Sequence, residues 1–418
     1  MRLFAGLSFI IICATFWVEG MLVFSILYLI FVILVGRQNI LPVRFIFIMA
    51  GLYFHIPFCK RICAYCDFYR SADLRLMDDV MAAMSAELEE QREYLRDRQI
   101  RTIYFGGGTP SLLKPEVMGE FAEQAATLFD CSAVEEFTVE ANPDDITQKY
   151  AAELRRVGVN RVSLGVQSFD DAELRFMNRR HTAEGAEKAV RVLQDAGFDN
   201  ITVDLIFGVD GFLEDVLRRS VERVLALDVQ HVSAYHLTIE PSTAFGRRLA
   251  RGEMREVVES QSEREYALIE EMLCGAGFEH YEVSNYAKAG RRSRHNSSYW
   301  HQAEYLGIGP GAHSFNGVER HWSEQSLGEY IARREYVSEI LTEQDFRNEC
   351  VMTSLRCAEG IDMEYFIQRF GEDKAAELRS MASRWIASGD VVDNGERIYI
   401  PTSRFLISDA VIESLFEV

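Results

Sequence analysis

Between residues 50 and 275 the sequence alternates between strand-like apolar runs and helical stripes. Strand-like runs occur at 52–57, 102–105, 136–141, 161–166, 201–207 and 231–237. Helical patterns follow them at 77–97, from Pro115 onward, and at 145–157, 183–196, 212–227 and about 259–274. This alternation is typical of a parallel sheet with right-handed crossovers. Six such units are fewer than the eight of a closed barrel, so we predict an α/β fold built on an incomplete, open (β/α)6 barrel.

Polar and glycine-rich motifs follow these strands where the strands end. Three cysteines follow the first strand, and Gly106–Gly108 follows the second. Glu140 ends the third strand, Gln167 ends the fourth, and Asp204 lies in the fifth. In parallel barrels the reactive groups collect at the carboxyl ends of the strands, so we expect these residues to form one site.

The cysteines Cys59, Cys63 and Cys66 have the spacing C-x3-C-x2-C. Three thiolates suit an iron–sulfur cubane and leave one iron open to an outside ligand, because such clusters usually take four cysteines. The alternative is a structural zinc site, which needs four ligands and would have to recruit His55 or Asp67. The other five cysteines are scattered, which favours a reducing compartment over a disulfide framework.

The motifs around the cysteines resemble those of a known family. They read HIPFCKRICAYCDF, YFGGGTPSLL, VEANP, RVSLGVQSF, VDLIFG, HVSAYHLTIEPST, YEVSNYA, HNSSYW and GIGPGAHS. In this order and spacing they resemble the oxygen-independent coproporphyrinogen-oxidase-like family of radical S-adenosylmethionine (SAM) proteins, over about residues 50–415. The resemblance implies a partial radical-SAM barrel, a [4Fe–4S] cluster and bound SAM.

The resemblance also implies roles for individual residues. Cys59, Cys63 and Cys66 would bind the cluster. Glu140 and Asp204 are similar to the family's carboxylates for the amino and ribose groups of SAM, and Arg179 is similar to the arginine that faces its carboxylate. The residues implied in cofactor binding are Tyr53, Tyr65, Gly107, Gly108, Thr109, Glu140, Gln167, Arg179 and Asp204. For the glycine run the alternative is a tight turn, and for each other residue it is an ordinary core or surface role.

Two departures from the family pattern bear on activity. The oxidase branch carries a fourth cysteine two residues after the third, where this chain has Phe68. This favours the branch of heme chaperones, which implies heme as ligand and respiratory hemoproteins as recipients. The alternative is an oxidase that decarboxylates the propionates of coproporphyrinogen III. The loop Val209–Phe212 also lacks the family's usual proline and Gln-Thr, so it is altered after the fifth strand.

The HNSSYW segment starts at His295 and matches a motif that the family links to heme. Imidazole is a normal axial ligand of heme iron, so His295 is a candidate heme ligand. The alternative is that His295 orders a loop that closes the barrel.

Residues 1–48 differ from the rest of the chain because 3–18 and 21–35 are almost wholly apolar. Each run is shorter than the ~20 residues of a spanning helix. They are either a membrane anchor or translated upstream sequence before Met49, and the recognisable pattern that starts directly after Met49 favours the second. We expect a cytoplasmic protein, with membrane association if the first interpretation holds.

The remaining chain suggests further divisions. We predict the barrel at 49–285, a linker with the HNSSYW segment at 286–345, and a small winged-helix-like domain at 346–418, where Asn394-Gly395 between apolar runs indicates a hairpin. The net charge is −20, and the last domain is also acidic. Nucleic-acid binding needs a basic face, so we expect no nucleic-acid partner.

Overall fold

The computed structural model describes residues 50–417, which belong to one compact unit. The apolar segment 1–48, and with it the choice between anchor and upstream sequence, lies outside the described residues. Within the described range no helix is both long and apolar enough to cross a membrane.

The predicted (β/α) units are present. The six parallel strands are β1 (Ala50–Ile56), β2 (Ile100–Gly107), β3 (Glu136–Ala141), β4 (Arg161–Gln167), β5 (Ile201–Phe207) and β6 (His231–His236). The helices among and after them are α1 (Met77–Glu90), α2 (Pro115–Leu128), α3 (Gln148–Arg156), α4 (Asp171–Phe176), α5 (Ala183–Asp195), α6 (Glu214–Ala226), α7 (Ala244–Ala250) and α8 (Glu259–Gly275). The strands pair in chain order, so the sheet is the open barrel that the alternation predicted.

Local sequence explains where these elements begin and end. Thr182 caps α5 by accepting a hydrogen bond from the Gly185 amide, and Gly197 follows the helix with φ of 85°. Glycine adopts this left-handed conformation without steric cost. The strands are buried on both faces, as in β1, because helices cover the outside of the sheet. On that side Phe54 stacks on Phe105 with ring centroids 4.5 Å apart.

Residues 279–340 extend the sheet at both edges. They contain β7 (Glu279–Glu282), β8 (Asn285–Ala287), α9 (Arg294–Trp300), β9 (Tyr305–Ile308), β10 (His313–Phe315), β11 (Glu319–Trp322), α10 (Leu327–Ala332) and β12 (Val337–Ile340). Strand β8 pairs with β6, whereas β9 pairs in parallel with β1. In the described residues the sheet therefore has twelve strands, in the order β12-β11-β10-β9-β1-β2-β3-β4-β5-β6-β8-β7. The segment 286–345, predicted as a linker, thus contributes strands to the barrel sheet.

The C-terminal part has the composition expected of a winged-helix-like domain. Its elements are α11 (Glu343–Leu355), β13 (Ile361–Asp362), α12 (Met363–Phe370), α13 (Glu372–Ser388), β14 (Val392–Asp393), β15 (Arg397–Tyr399) and α14 (Ser408–Glu413). Strands β14 and β15 form the hairpin predicted at Asn394-Gly395, and β13 completes a three-stranded sheet. Backbone hydrogen bonds join this part to β7, including Ala358 N–H to the Tyr281 carbonyl at 3.0 Å.

Candidate cofactor site

A cavity of about 370 Å³ opens at the carboxyl ends of the parallel strands. All but two of the predicted site residues line it. They are Cys59, Cys63, Tyr65, Cys66, Gly107, Gly108, Thr109, Glu140, Gln167, Arg179 and Asp204. The two that do not line it are Tyr53 and His295. One edge of the sheet thus brings together residues that are as far apart in sequence as Cys59 and Asp204.

The cysteine loop follows β1 and is fastened to its surroundings by backbone hydrogen bonds. The Cys59 amide donates to the Ser71 carbonyl at 2.9 Å, and the Ala64 amide donates to the Met177 carbonyl at 3.0 Å. The Ala64 carbonyl in turn accepts from the Phe245 amide at 2.9 Å. These contacts fix the loop, and therefore its thiols, against α4 and α7.

The thiols have polar neighbours that suit bound thiolates. Thr109 Oγ1 donates to Cys59 Sγ at 3.2 Å, and Arg179 Nη1 donates to Cys63 Sγ at 3.2 Å. Burial raises the pKa of both Cys59 and Cys66, so without metal these thiols stay protonated at neutral pH. A bound metal would supply the positive charge that their thiolates need, because metal ligation deprotonates a thiol.

The number of cysteines in the loop bears on the choice between a cluster and a zinc site. Within residues 50–417 no three His, Cys, Asp or Glu side chains are gathered closely enough to hold a single metal ion. Zinc needs each sulfur about 2.3 Å from one point. In a cubane cluster each cysteine binds a different iron, so the sulfurs stand farther apart. Three cysteines suit a cubane cluster with one iron left open, whereas a structural zinc site would need a fourth ligand.

Arg179 crosses the cavity wall between the cysteine loop and the strands. Its Nη2 donates to Asn142 Oδ1 at 2.6 Å and to the Gly165 carbonyl, and its Nη1 lies 3.4 Å from the Tyr65 hydroxyl. Its buried Nε has no hydrogen-bond partner within the described residues. Because Arg179 also lines the cavity, its guanidinium suits an anionic ligand there.

The glycine run at the end of β2 is required by close contacts and is more than a generic turn. Gly107 has φ of 101°, and a Cβ there would lie 2.6 Å from the His55 ring. A Cβ on Gly108 would lie 2.7 Å from the Ile56 carbonyl oxygen. Only glycine fits at both positions, and the bare backbone forms part of the cavity wall.

Glu140 reaches the cavity from the end of β3. Its Oε1 accepts from the Tyr104 hydroxyl at 2.7 Å, and its Oε2 accepts from the Gly107 amide at 3.1 Å. Burial raises the pKa of Glu140 to about 7, against the lowering effect of the Tyr104 hydrogen bond. A carboxylate held this way gains strongly from a cationic ligand.

Asp204 and Gln167 complete the wall opposite the glycines. Ser163 Oγ donates to the Asp204 carboxylate at 3.2 Å, and burial raises the pKa of Asp204. Gln167 has φ of 68° at an irregularity in the pairing of β4 with β5. Such bulges re-aim side chains next to binding sites, and here the bulge places Gln167 in the cavity wall.

Some lining residues were not predicted. Asn142 contacts Arg179 and also donates to Thr109 Oγ1 at 3.3 Å, so it connects two predicted residues. Ser163 and Gly165 also line the cavity. All three lie in or beside motifs that the sequence singled out, VEANP and RVSLGVQSF, and this was the available signal.

His295 lies at the opposite end of the barrel. Its side chain is buried, with Nδ1 bonded to Thr102 Oγ1 and Nε2 bonded to the Tyr299 hydroxyl, each at 2.7 Å. Tyr53 lies between the two ends: its hydroxyl bonds His55 Nδ1 at 3.1 Å and its ring stacks on His295 at 6.3 Å. An axial ligand needs a free ring nitrogen, and both nitrogens of His295 are occupied.

The helix that carries His295 closes this end of the barrel. Glu136 accepts from the backbone amides of Arg294 and His295, at 2.9 and 3.0 Å, at the start of α9. Arg161, almost fully buried, has its Nε 3.9 Å from Glu136 and donates from Nη2 to Thr202 Oγ1 at 2.6 Å. We call this group the barrel floor: Thr102, Glu136, Arg161, Thr202, His295 and Tyr299.

Comparisons with known proteins agree with this geometry. Residues 53–224 match the Radical SAM superfamily, which implies a [4Fe–4S] cluster and SAM, and residues 341–402 match the HemN C-terminal domain. The solved structure of coproporphyrinogen III oxidase (HemN) from Escherichia coli superposes with a TM-score of 0.76 at 20% identity, covering 88% of this chain and 90% of that one. This likeness establishes the fold, a partial radical-SAM barrel with a C-terminal domain.

Curated relatives are similar over nearly their whole length. The chain is 36% identical over 365 residues to the protein named heme chaperone HemW of Lactococcus lactis subsp. lactis (strain IL1403), covering 86% of this chain and 96% of the relative. It is 31% identical over 372 residues to the HemW protein of Bacillus subtilis (strain 168), covering 87% and 98%. The chain therefore belongs to the HemW family within the Radical SAM superfamily.

Proposed function

We propose that this protein is a heme chaperone that carries a [4Fe–4S] cluster on Cys59, Cys63 and Cys66 and holds SAM in the adjoining cavity. In this proposal heme is bound and passed to respiratory hemoproteins. The relatives that share at least 31% identity over most of this chain are named for heme chaperoning. The cavity supports the cofactor part, because Glu140 and Arg179 offer it a carboxylate and a guanidinium for the ammonium and carboxylate groups of SAM.

The assignment of SAM groups follows from charge. Glu140 would hold the ammonium group, since a buried carboxylate is stabilised by a cation. Arg179 would pair with the carboxylate, which gives its unpartnered Nε an acceptor. Asp204 and Gln167 would accept from and donate to the ribose hydroxyls. When bound and reduced, the pair of cofactors supplies a deoxyadenosyl radical, and the protein's part is to bind, orient and shield them.

The observation that separates chaperone from oxidase is Phe68. Two residues after the third cluster cysteine the oxidase branch carries a further cysteine, and here Phe68 stands with 68% of its surface exposed at the cavity mouth. A thiol that acts beside the cofactors is therefore missing from this position. We propose that coproporphyrinogen III is not decarboxylated at a meaningful rate.

The second candidate is the oxidase itself. The match of residues 341–402 to the HemN C-terminal domain favours it, as does the presence in the cavity of all the residues expected for SAM except Tyr53. The two functions differ in their chemistry. The oxidase would decarboxylate its tetrapyrrole, whereas the chaperone would bind heme and transfer it unchanged.

One experiment compares the two functions directly. Protein reconstituted with iron and sulfide under anaerobic conditions is given heme in one arm and coproporphyrinogen III with SAM and reductant in the other. The chaperone proposal expects heme to stay bound through gel filtration and no protoporphyrinogen to form. Multiple turnovers to protoporphyrinogen would replace it with the oxidase, and a wild-type protein that retains no heme would contradict chaperone function.

For His295 we propose the structural role, in which it orders the barrel floor. Its support is that both ring nitrogens are bonded inside a closed group, and that burial lowers its pKa to about 3. Ligation of heme iron would require breaking one of these bonds and opening the floor.

A further inference from the structure

Large apolar side chains surround the mouth of the cofactor cavity and face solvent. Phe68 is 68% exposed, Tyr235 is 42% exposed and Ile62 is 39% exposed. All three line the same cavity. Contiguous exposed apolar groups at a cavity mouth commonly mark a binding surface, whereas isolated ones need no explanation.

Two cations accompany them at the same mouth. Arg61 donates to the Arg179 carbonyl at 3.4 Å, and Arg70 donates to the Phe68 carbonyl at 2.6 Å. In the described part of the chain neither arginine has an Asp or Glu within ion-pair distance, although this protein carries a net charge of −20. The buried Nε of Arg70 also lacks a hydrogen-bond partner there. We call these residues the cavity rim: Arg61, Ile62, Phe68, Arg70 and Tyr235.

We propose that the cavity rim is the heme-binding surface, with its apolar side chains against a porphyrin face and its arginines paired with the propionate carboxylates. This proposal rests on the heme binding proposed above and names the place where it occurs. The combination suits a flat apolar ligand that carries two carboxylates, since arginine pairs well with carboxylate and aromatic rings pack on flat faces.

The dimensions of the site favour the cavity rim as the place for heme over the interior of the cavity and over the barrel floor. The cavity itself, at about 370 Å³, is at the small end of ligand pockets and is assigned to SAM. The barrel floor is closed by α9, and His295 is only 1% exposed. Heme on the rim would cover bound SAM and keep its other face in solvent, where a recipient protein could contact it.

The test is a heme titration of the reconstituted protein and four variants. Phe68→Ala removes the main apolar contact and should weaken heme affinity about tenfold. Arg61→Gln combined with Arg70→Gln should weaken it about three- to tenfold, and should leave affinity for protoporphyrin dimethyl ester unchanged because the ester has no carboxylates. The matched controls are Ile340→Ala, an apolar side chain with 74% exposure far along the chain, and Arg384→Gln, an exposed arginine stacked on Trp385. Both controls should bind heme as the wild type does.

Iron and sulfide content is measured on every variant, so that a damaged cluster is not read as a lost heme site. Heme affinity that is equal in the wild type and in both rim variants would overturn the rim assignment while leaving heme chaperoning intact. A wild-type protein without measurable heme affinity would instead contradict the proposed function itself. Equal weakening by the rim variants and the control variants would also overturn the assignment, because it would indicate nonspecific adsorption.

Discussion

The two ends of the barrel contain similar side chains in opposite settings. The cavity has Glu140 with Arg179 and Asp204, and the floor has Glu136 with Arg161 and His295. Both arginines have buried guanidinium nitrogens without a hydrogen-bond partner in the described residues, but Arg179 lines an opening whereas Arg161 is covered. At the floor the chain supplies its own ligand, because α9 places two backbone amides on Glu136.

The difference teaches that a buried carboxylate is not by itself evidence of a binding site. What distinguishes the two is whether the protein's own chain covers the group. At the floor, buried charged groups hold α9 against the strands. Removing one partner of such a buried pair is costly, because the other charge is left buried and unpaired. The cavity leaves its charged groups available to a ligand. Burial there removes water from both carboxylates and so raises the pKa of each.

The largest expected effect is at the open end. Replacing Cys59, Cys63 or Cys66 with Ala should abolish cluster binding, because in the proposed cluster each cysteine would bind a separate iron. Iron and sulfide analysis should fall from about four of each per chain to near none. Cys131→Ala and Cys274→Ala, outside the cavity, should retain the full content. Stoichiometric zinc retained after reconstitution would contradict the cluster.

At the floor the main effect should be on stability. Glu136→Gln should lower the free energy of unfolding by about 3–5 kcal/mol, because it leaves the buried Arg161 cation without its counter-charge. Urea unfolding measures this. Glu135→Gln, its exposed neighbour, should change stability by less than about 1 kcal/mol. A weakened affinity for SAM with normal stability in Glu136→Gln would erase the distinction between the two ends.

The same substitution at the cavity should act on ligand binding instead. Glu140→Gln should weaken SAM affinity about ten- to hundredfold, the worth of one charge-assisted hydrogen bond. Its free energy of unfolding should be unchanged or slightly raised, since burial raises the pKa of Glu140 to about 7 and so disfavours the carboxylate form. Equilibrium dialysis measures the SAM affinity, and urea unfolding measures the free energy of unfolding. A large loss of stability would indicate that Glu140 has a structural role instead.

His295→Ala sharpens the comparison on the floor side. It leaves the buried Thr102 and Tyr299 hydroxyls without their partner, at about 1–3 kcal/mol of stability. The heme absorption band and iron content should remain those of the wild type. Loss of the heme band at normal stability would restore His295 as a heme ligand.

The smallest effect is a pH dependence of SAM affinity. Only ionised Glu140 attracts an ammonium group, and burial raises its pKa to about 7, so affinity should fall as pH decreases below 7. The loss should be at most tenfold per pH unit. Tyr104→Phe removes a hydrogen bond that lowers this pKa, so the midpoint should move to higher pH. Tyr150→Phe, whose hydroxyl bonds the Leu113 carbonyl away from the cavity, should leave the midpoint in place.

Much of the barrel was predictable because its elements are long and regular. The strands Glu136–Ala141 and Ile201–Phe207 have the predicted bounds, and α5 ends one residue earlier than expected, at Asp195. The helix predicted to reach Asp97 ends at Glu90, and its last predicted apolar position, Leu95, is buried in the irregular segment that follows a turn at residues 91–93. Strands β7 to β12 were missed because they have three or four residues each, too few for a period to show.

The site was predictable where chemistry depends on residue type. The spacing of the three cysteines and the glycine run after a strand can be recognised directly in the sequence, and they predicted the cofactor site. The position of Gln167 was not predictable physically, because it depends on a bulge between β4 and β5. His295 was ambiguous because one histidine beside aromatic residues suits a heme ligand and a closed floor equally. Only its two hydrogen-bond partners, Thr102 and Tyr299, distinguish them.

The residues of the barrel floor are far apart in the sequence, so the ribosome synthesises them at different times. Glu136 and Arg161 leave the ribosome well before α9, which ends their exposure. At about 5–20 residues per second the interval from Arg161 to His295 lasts on the order of ten seconds. During that time Glu136 lacks the two backbone amides with which it pairs in the folded protein. Helix α9, which carries the HNSSYW segment, must be synthesised before this end of the barrel can close.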